Sequence, residues 1–419
     1  MTSTNELMAR VAKALNGSFS PSGDEGVAET AETQTQNEAC LEELYRDCCT
    51  EYGVENAISI EIFLRLFDVL IGLYRLDRCD ELLRDILPAI DRLEAKAVVG
   101  TPSSTLTSRY KLKGIQCLAF TRWKQGRLSE AMELFIQMEK MMSEPSPALL
   151  ENMGHTYSSM GNLDKAKEYF EKAMEADSPN RGGILLGLGL VSERSGDIES
   201  GLEKCIEALA WYEARFSKRE NESSLEAKCC MSIAKLYNKR KIFDEATKYA
   251  SRAVDNFRRT CGDDSPLLAS ALKALGENLA RNPEYAEKAR VTLMEAFQIE
   301  ATKDAIDMIT MMELIHSLTN LCQRVSDIES RERRFKEVLQ IGETACLSVS
   351  SRLTKDGNYA AFLKFVAELA IYANELTKAK KLLEEAKPLF EKEKSVDCSG
   401  LVGQCTEIIA LIDRRLTGQ

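Results

Sequence analysis

What most limits the fold of this chain is a spacing. Ala119, Gly154 and Gly189 lie 35 residues apart, each followed by the same apolar pattern. Around the middle one, Leu149 to Pro179, the residues Met153, Gly154 and Tyr157 share one helical face. The pattern breaks at Gly161-Asn162, resumes with Leu163, Ala166, Phe170 and Ala173, and stops at Pro179. A helical period on both sides of a Gly-Asn break predicts two short helices folded back on one another. The small residue marks where helices come closest, because a larger side chain there would force them apart. One such hairpin cannot bury its apolar face alone, so copies must stack.

The pattern extends both ways. Before it, Ala119 takes the small position, Gly126 the turn, and Ala131, Phe135 and Met138 the second helix. After it come Gly189, Gly196, Gly201, Cys205 and Ala208. Then follow Ile233, Ala234 and Tyr237 with Phe243, Ala246, Ala250 and Ala253, and then Leu275, Gly276 and Leu279 with Ala289, Leu293 and Ala296, displaced by an insertion near Pro283. Weaker copies use Val69, Leu70 and Leu73 with Leu82, Ile86 and Ala89, and Val366, Ala367 and Ala370 with Leu376, Ala379, Leu383 and Ala386. Residues 304–350 read as a degenerate copy in which Arg331 occupies a position that normally takes alanine.

Together these residues resemble the tetratricopeptide repeat family. The longer copies over 227–303, with the loop Gly262-Asp263-Asp264-Ser265-Pro266, resemble the kinesin light chain type, although Ala274 stands where that type usually has asparagine. The expected fold is all-α: a right-handed α-solenoid of about eight helical hairpins with a C-terminal capping helix. Its expected divisions are a disordered acidic tail at 1–36, an N-terminal helix or cap at 37–58, repeats at 59–303, the degenerate repeat at 304–350, another repeat at 351–395 and the cap at 396–419. In the cap, Ile408, Ile409 and Leu411 are expected to face inward.

Composition narrows function. A net charge of −11 argues against nonspecific nucleic-acid binding. The sequence has no run apolar enough to span a membrane; Met8 to Leu15 could form a short amphipathic helix carrying Arg10 and Lys13, as a mitochondrial presequence would, but Glu6, Asp24 and Glu25 count against that. A cytoplasmic location is expected, with a cytoskeletal or ciliary one as the alternative. The 13 cysteines include no CxxC and fall mostly at apolar helical positions, which suits reduced thiols acting as small hydrophobes. With only His155 and His316, and no nucleotide, metalloprotease or hydrolase motif, no catalytic residue, metal or cofactor is predicted. The run from Gly182 to Gly189 follows no strand, so it is not read as a phosphate loop.

The resemblance implies protein partners, held on the inner face of the first helices. The carboxylate clamp by which some members grip chaperone C-termini is absent. Gln116 and Phe120 replace its first pair, Gly183 and Gly187 its last, and Lys273 and Lys364 are followed by Glu277 and Glu368. On the same face Phe67, Ile71, Tyr74, Phe120, Trp123 and Leu190 would form an apolar patch, with His155 beside it; Lys228, Lys235, Lys239, Lys273 and Arg281 would form a basic one. A partner with an apolar segment followed by acidic residues would fit both. Two plainer readings stand beside this: the helix at 37–52 covers the aromatics, and the lysines are solvated surface charges. The 1–38 segment carries six carboxylates against Arg10 and Lys13, so it could compete for the basic groove. The expected function is an interaction scaffold or adaptor; the alternative is a structural component of a cytoskeletal, ciliary or motor assembly.

Overall fold

The computed structural model describes residues 4–15, 31–73, 75–98, 100–176, 178–216, 224–302, 307–352, 357–393 and 398–417, and no strand occurs among them. The chain divides into two compact units, Met1–Leu225 and Glu226–Gln419.

In the first unit, α1 (Thr4–Leu15) and α2 (Ala31–Tyr52) precede four hairpins. These are α3 (Ala57–Gly72) with α4 (Leu76–Lys96), α5 (Pro102–Lys124) with α6 (Leu128–Met141), α7 (Pro147–Ser159) with α8 (Leu163–Glu175), and α9 (Arg181–Ser195) with α10 (Ile198–Phe216). The second unit continues the pattern. It pairs α11 (Ser224–Lys239) with α12 (Phe243–Cys261), α13 (Pro266–Leu279) with α14 (Ala286–Thr302), α15 (Met308–Gln323) with α16 (Ile328–Arg352), and α17 (Gly357–Tyr372) with α18 (Leu376–Lys392). The helix α19 (Ser399–Thr417) packs on α18. Eight hairpins and a terminal helix are what the spacing predicts. The insertion near Pro283 is a single 3₁₀ turn, Pro283–Tyr285, ahead of α14.

Local chemistry sets the ends of these helices. Thr101, Ser146 and Ser265 each accept a backbone N–H with the side chain, and each is followed by a proline at the first helical position. Within five hairpins the turn needs one left-handed residue: Gly126, Gly161 and Gly196 supply it in the first unit, Lys241 and Asn374 in the second. The two backbone bonds that close each turn are the same, as in Gly161 N–H to Ser158 O and Asn162 N–H to Tyr157 O, against Lys241 N–H to Asn238 O and Ile242 N–H to Tyr237 O.

Close approach explains the small residues. A Cβ on Gly154 would meet the Phe170 ring at 2.9 Å, and one on Gly187 would meet the same ring at 2.6 Å. Phe170 of α8 is therefore wedged between α7 and α9, and its side chain is fully buried. On Gly189 a Cβ would lie 2.5 Å from the Cys205 sulfur, and on Gly276 2.5 Å from Leu293. With Gly182 against Trp211 and Tyr212, the glycine-rich run of α9 is thus accounted for by packing.

Two boundaries differ from expectation. Residues 4–15, placed in an unstructured tail, form α1; Leu7, Val11 and Ala14 are buried in a core shared with Leu41, Leu44, Phe63 and Leu66. Arg10 holds α1 to α2 through Asp47 at 2.7 Å. The few apolar residues of this stretch fall on one helical stripe, which is enough to dock a short helix on an existing face. Residues 31–36 already belong to α2, while 16–30 lie outside the described residues. In α19 the buried residues are Cys405 and Ile412; Ile408 and Ile409 are half-buried and Leu411 is exposed. The inward stripe is thus rotated from the expected one, and Lys380 fixes it through Asp413 at 2.6 Å.

Candidate functional site

In the first unit, the inner ends of α5, α6 and α7 enclose a pocket of about 150 Å³ lined by Phe120, Trp123, Phe135, Asn152, His155 and Thr156. Phe120 and Trp123 are half-buried, and the His155 side chain is 41% exposed. Phe120 meets Phe135 edge-on at 6.1 Å, and His155 meets Phe170 edge-on at 4.9 Å. His155 also lies 3.7 Å from Glu151, whose carboxylate accepts a 2.7 Å bond from Asn180. The Lys124 ammonium sits 5.4 Å from the Trp123 ring centre. The Trp123 indole N–H is buried and has no acceptor. Three of the expected residues, Phe120, Trp123 and His155, are thus brought together. Phe135, Asn152 and Thr156 complete the wall, and only the placement of neighbouring hairpins shows that they do.

The remaining expected residues of this unit are elsewhere. Phe67 is 2% exposed and belongs to the core under α1 and α2, so it is not a groove residue. Ile71 is half-buried against that same core. For Phe67 and Ile71 the plainer reading, in which the N-terminal helices cover them, is what the structure shows. Tyr74 lies outside the described residues. Leu190 is half-buried on α9, outside the pocket wall.

The basic set belongs to the second unit. Lys228, Lys235 and Lys239 are exposed on α11, where intervals of seven and four residues put them on one helical stripe. Lys273 does not extend that stripe as a surface cation. Its side chain is only 21% exposed, is paired with Glu313, and lies 3.8 Å from Glu277. The Arg281 guanidinium lies over the Phe243 ring at 4.4 Å. The expected basic patch is therefore corrected at Lys273 and Arg281: α13 presents a mixed-charge cluster, while the three lysines of α11 stay exposed.

Around that cluster is a second pocket, about 580 Å³, to which α13, α15 and α17 contribute Lys273, Glu277, Ile309, Met312, Glu313 and Phe365. Ile309 is 61% exposed. Burial raises the Glu277 carboxyl above its ordinary value; Lys273 and Arg281 pull it down, and Glu313 pushes it up.

Most of the thiols are buried packing groups, with Cys40 exposed. Cys48, Cys205 and Cys346 are buried, and burial pushes them up to about 11, 12 and 12. Among the described residues no helix is long and apolar enough to cross a membrane.

Stacked α-hairpins with small residues at each close approach define a helical-repeat protein, whose fold is a scaffold for protein–protein contact. More particularly, residues 147–180 match the family model described as tetratricopeptide repeat. Among solved structures, the chain is similar to the apo form of the quorum sensor NprR from B. thuringiensis. The TM-score is 0.51 at 13% identity, over 92% of this chain and 98% of that one. It is also similar to nearly identical TPR-like repeats of a putative kinesin light chain from Podosopora anserina (TM-score 0.40, 15% identity, 52% of this chain and 99% of that one). A third is the C-terminal part of a TPR repeat-containing protein from Cytophaga hutchinsonii (TM-score 0.42, 13% identity, 66% of this chain and 96% of that one). At 13% identity the likeness to the quorum-sensor structure is one of fold alone. No curated protein matches the chain by sequence.

Proposed function

We propose that the first unit is a polypeptide-binding scaffold whose α5–α7 pocket takes one apolar side chain of a partner segment, and that the role of the chain is binding rather than catalysis. The observation that carries this reading is the aromatic pocket itself, at about 150 Å³. An apolar cavity of that size accommodates a benzene ring, so a leucine, methionine or phenylalanine side chain fits. Half-buried Phe120 and Trp123 provide rigid apolar surface at small entropic cost, the usual character of an energetic anchor. A partner that repacks Trp123 and supplies an acceptor would satisfy its buried indole N–H; leaving such a donor unpaired costs about 1–3 kcal/mol. The acidic half of the expected partner is not part of this proposal, because Lys273 is already neutralised within the second unit.

Peptides selected from a random display library against the intact chain test this reading. The selected peptides should share one large apolar residue, and Phe120→Ala should weaken them at least tenfold. Selected peptides that bind Phe120→Ala and Trp123→Ala as tightly as the native chain would place the binding surface elsewhere and end the proposal.

A further inference from the structure

The pocket that α13, α15 and α17 form in the second unit has a different character from the aromatic one. Its lining holds one ammonium, Lys273, and two carboxylates, Glu277 and Glu313, together with the His316 imidazole. The other cation that acts on Glu277, Arg281, is engaged with the Phe243 ring and does not line the pocket. Beside the carboxylates stand Met312 and Phe365, both half-buried, and Ile309, which leaves more than half of its surface in water. An isoleucine this exposed at the mouth of a 580 Å³ pocket is unused apolar surface next to excess negative charge.

We propose that this pocket receives a basic side chain, arginine or lysine, from a partner polypeptide, with the aliphatic stem on Met312, Ile309 and Phe365 and the cation against Glu277 and Glu313. Long basic side chains are built for such a surface, since they bury an apolar stem while their charge reaches a carboxylate. Charge complementarity favours the basic occupant: with Lys273, one added positive charge balances the two carboxylates, whereas an acidic residue would bring a third carboxylate to the two already present. The state of Glu277 agrees, because its carboxyl stays above its ordinary value despite Lys273 and Arg281. A further cation therefore lowers the energy of its charged form. This inference reverses the acidic partner expected from the lysines in the sequence. It also stands apart from the first-unit proposal, because none of the residues is shared.

The test uses the intact chain with methyl-labelled isoleucine and methionine, titrated with Nα-acetyl-arginine amide, Nα-acetyl-lysine amide, Nα-acetyl-norleucine amide and Nα-acetyl-glutamate amide. The two basic probes should shift the Ile309 and Met312 methyl signals saturably, with the neutral and acidic ones much weaker. Glu277→Gln with Glu313→Gln should reduce basic-probe affinity about tenfold while leaving the circular dichroism spectrum unchanged. Lys273→Met should raise basic-probe affinity, because it releases both carboxylates. Binding of norleucine amide as tight as that of arginine amide would overturn the proposal. So would preferential binding of the glutamate probe, loss of basic-probe binding in Lys273→Met, or no saturable shift with either basic probe.

Discussion

Gly189→Ala separates the two opposed consequences of adding a methyl group to this fold. In an exposed helix interior, alanine in place of glycine gains about 1 kcal/mol through backbone entropy. At Gly189 the new Cβ would stand 2.5 Å from the Cys205 sulfur and 3.1 Å from the Gly201 carbonyl oxygen. The Cys205 side chain is fully buried, and the second obstacle is backbone, so neither can swing into solvent. Relief requires α9 and α10 to separate, and overpacking of a close-packed interior costs roughly 1–3 kcal/mol. Against the propensity gain, a net loss of about 1 kcal/mol is expected, and about 2 kcal/mol if the helices move rigidly. Cys205→Ala alone removes a buried sulfur and should also destabilise. Combined with Gly189→Ala it removes the closest clash, so the pair should be less damaging than the sum of the single changes by about 1 kcal/mol. Gly403→Ala in α19 is the matched control: a Cβ there meets nothing within 4 Å, so that variant should gain the full propensity term. Urea titration followed by circular dichroism gives the energies. Hydrogen exchange of the α9 and α10 amides shows whether the loss arises there, since stability in stacked repeats is a sum of local terms. A Gly189→Ala variant as stable as Gly403→Ala, or strictly additive single changes, would refute the steric account of the small positions.

The hairpin turns give the opposite sign. Lys241 holds a left-handed φ of 62° where the first unit uses glycine, so Lys241→Gly should stabilise by about 1 kcal/mol in a thermal melt. Asn374→Gly should gain less, since asparagine tolerates that conformation better. Asp80 is partly buried, which raises its carboxyl, but hydrogen bonds from Gln125 and Arg122 outweigh this and hold it below the ordinary value. Its contribution is therefore complete above the unfolded carboxylate range near pH ~4 and is lost as pH falls through the lower folded value. Asp80→Asn should cost about 1 kcal/mol at neutral pH and flatten the acid limb of the stability profile. In thiol labelling, exposed Cys40 should react first, while Cys205 and Cys346 should wait for unfolding because burial both hides them and disfavours their thiolates.

The hairpins were legible because their causes are local. Gly154 and Gly189 declare themselves through a 35-residue interval, and the steric demand behind it repeats with every hairpin. The turn at Lys241 escaped the same reading because a lysine there pays about 1 kcal/mol in place of glycine and leaves no compositional trace. Leu411 and Ile412 are adjacent apolar residues on a terminal helix with one neighbour, so periodicity alone does not say which faces in; the Lys380–Asp413 pair does.

The sites were less legible because each is made by helices that sequence order keeps apart. Phe67 reads as a groove aromatic until α1 and α2 are laid over α3, and that layer depends on a three-residue stripe, Leu7, Val11 and Ala14, inside a polar segment. Lys273 reads as a basic surface residue until Glu313, 40 positions later, is brought beside it by the return of the next hairpin. Phe120 and His155 show the converse, since both sit on the inner stripe of first helices and meet once those helices stack. In a stack of hairpins, then, periodicity predicts which residues face a common surface. The charge and depth of that surface depend on contacts between successive repeats, and at Lys273 one carboxylate from the next hairpin is enough to turn an apparent surface cation into part of a mixed-charge cluster.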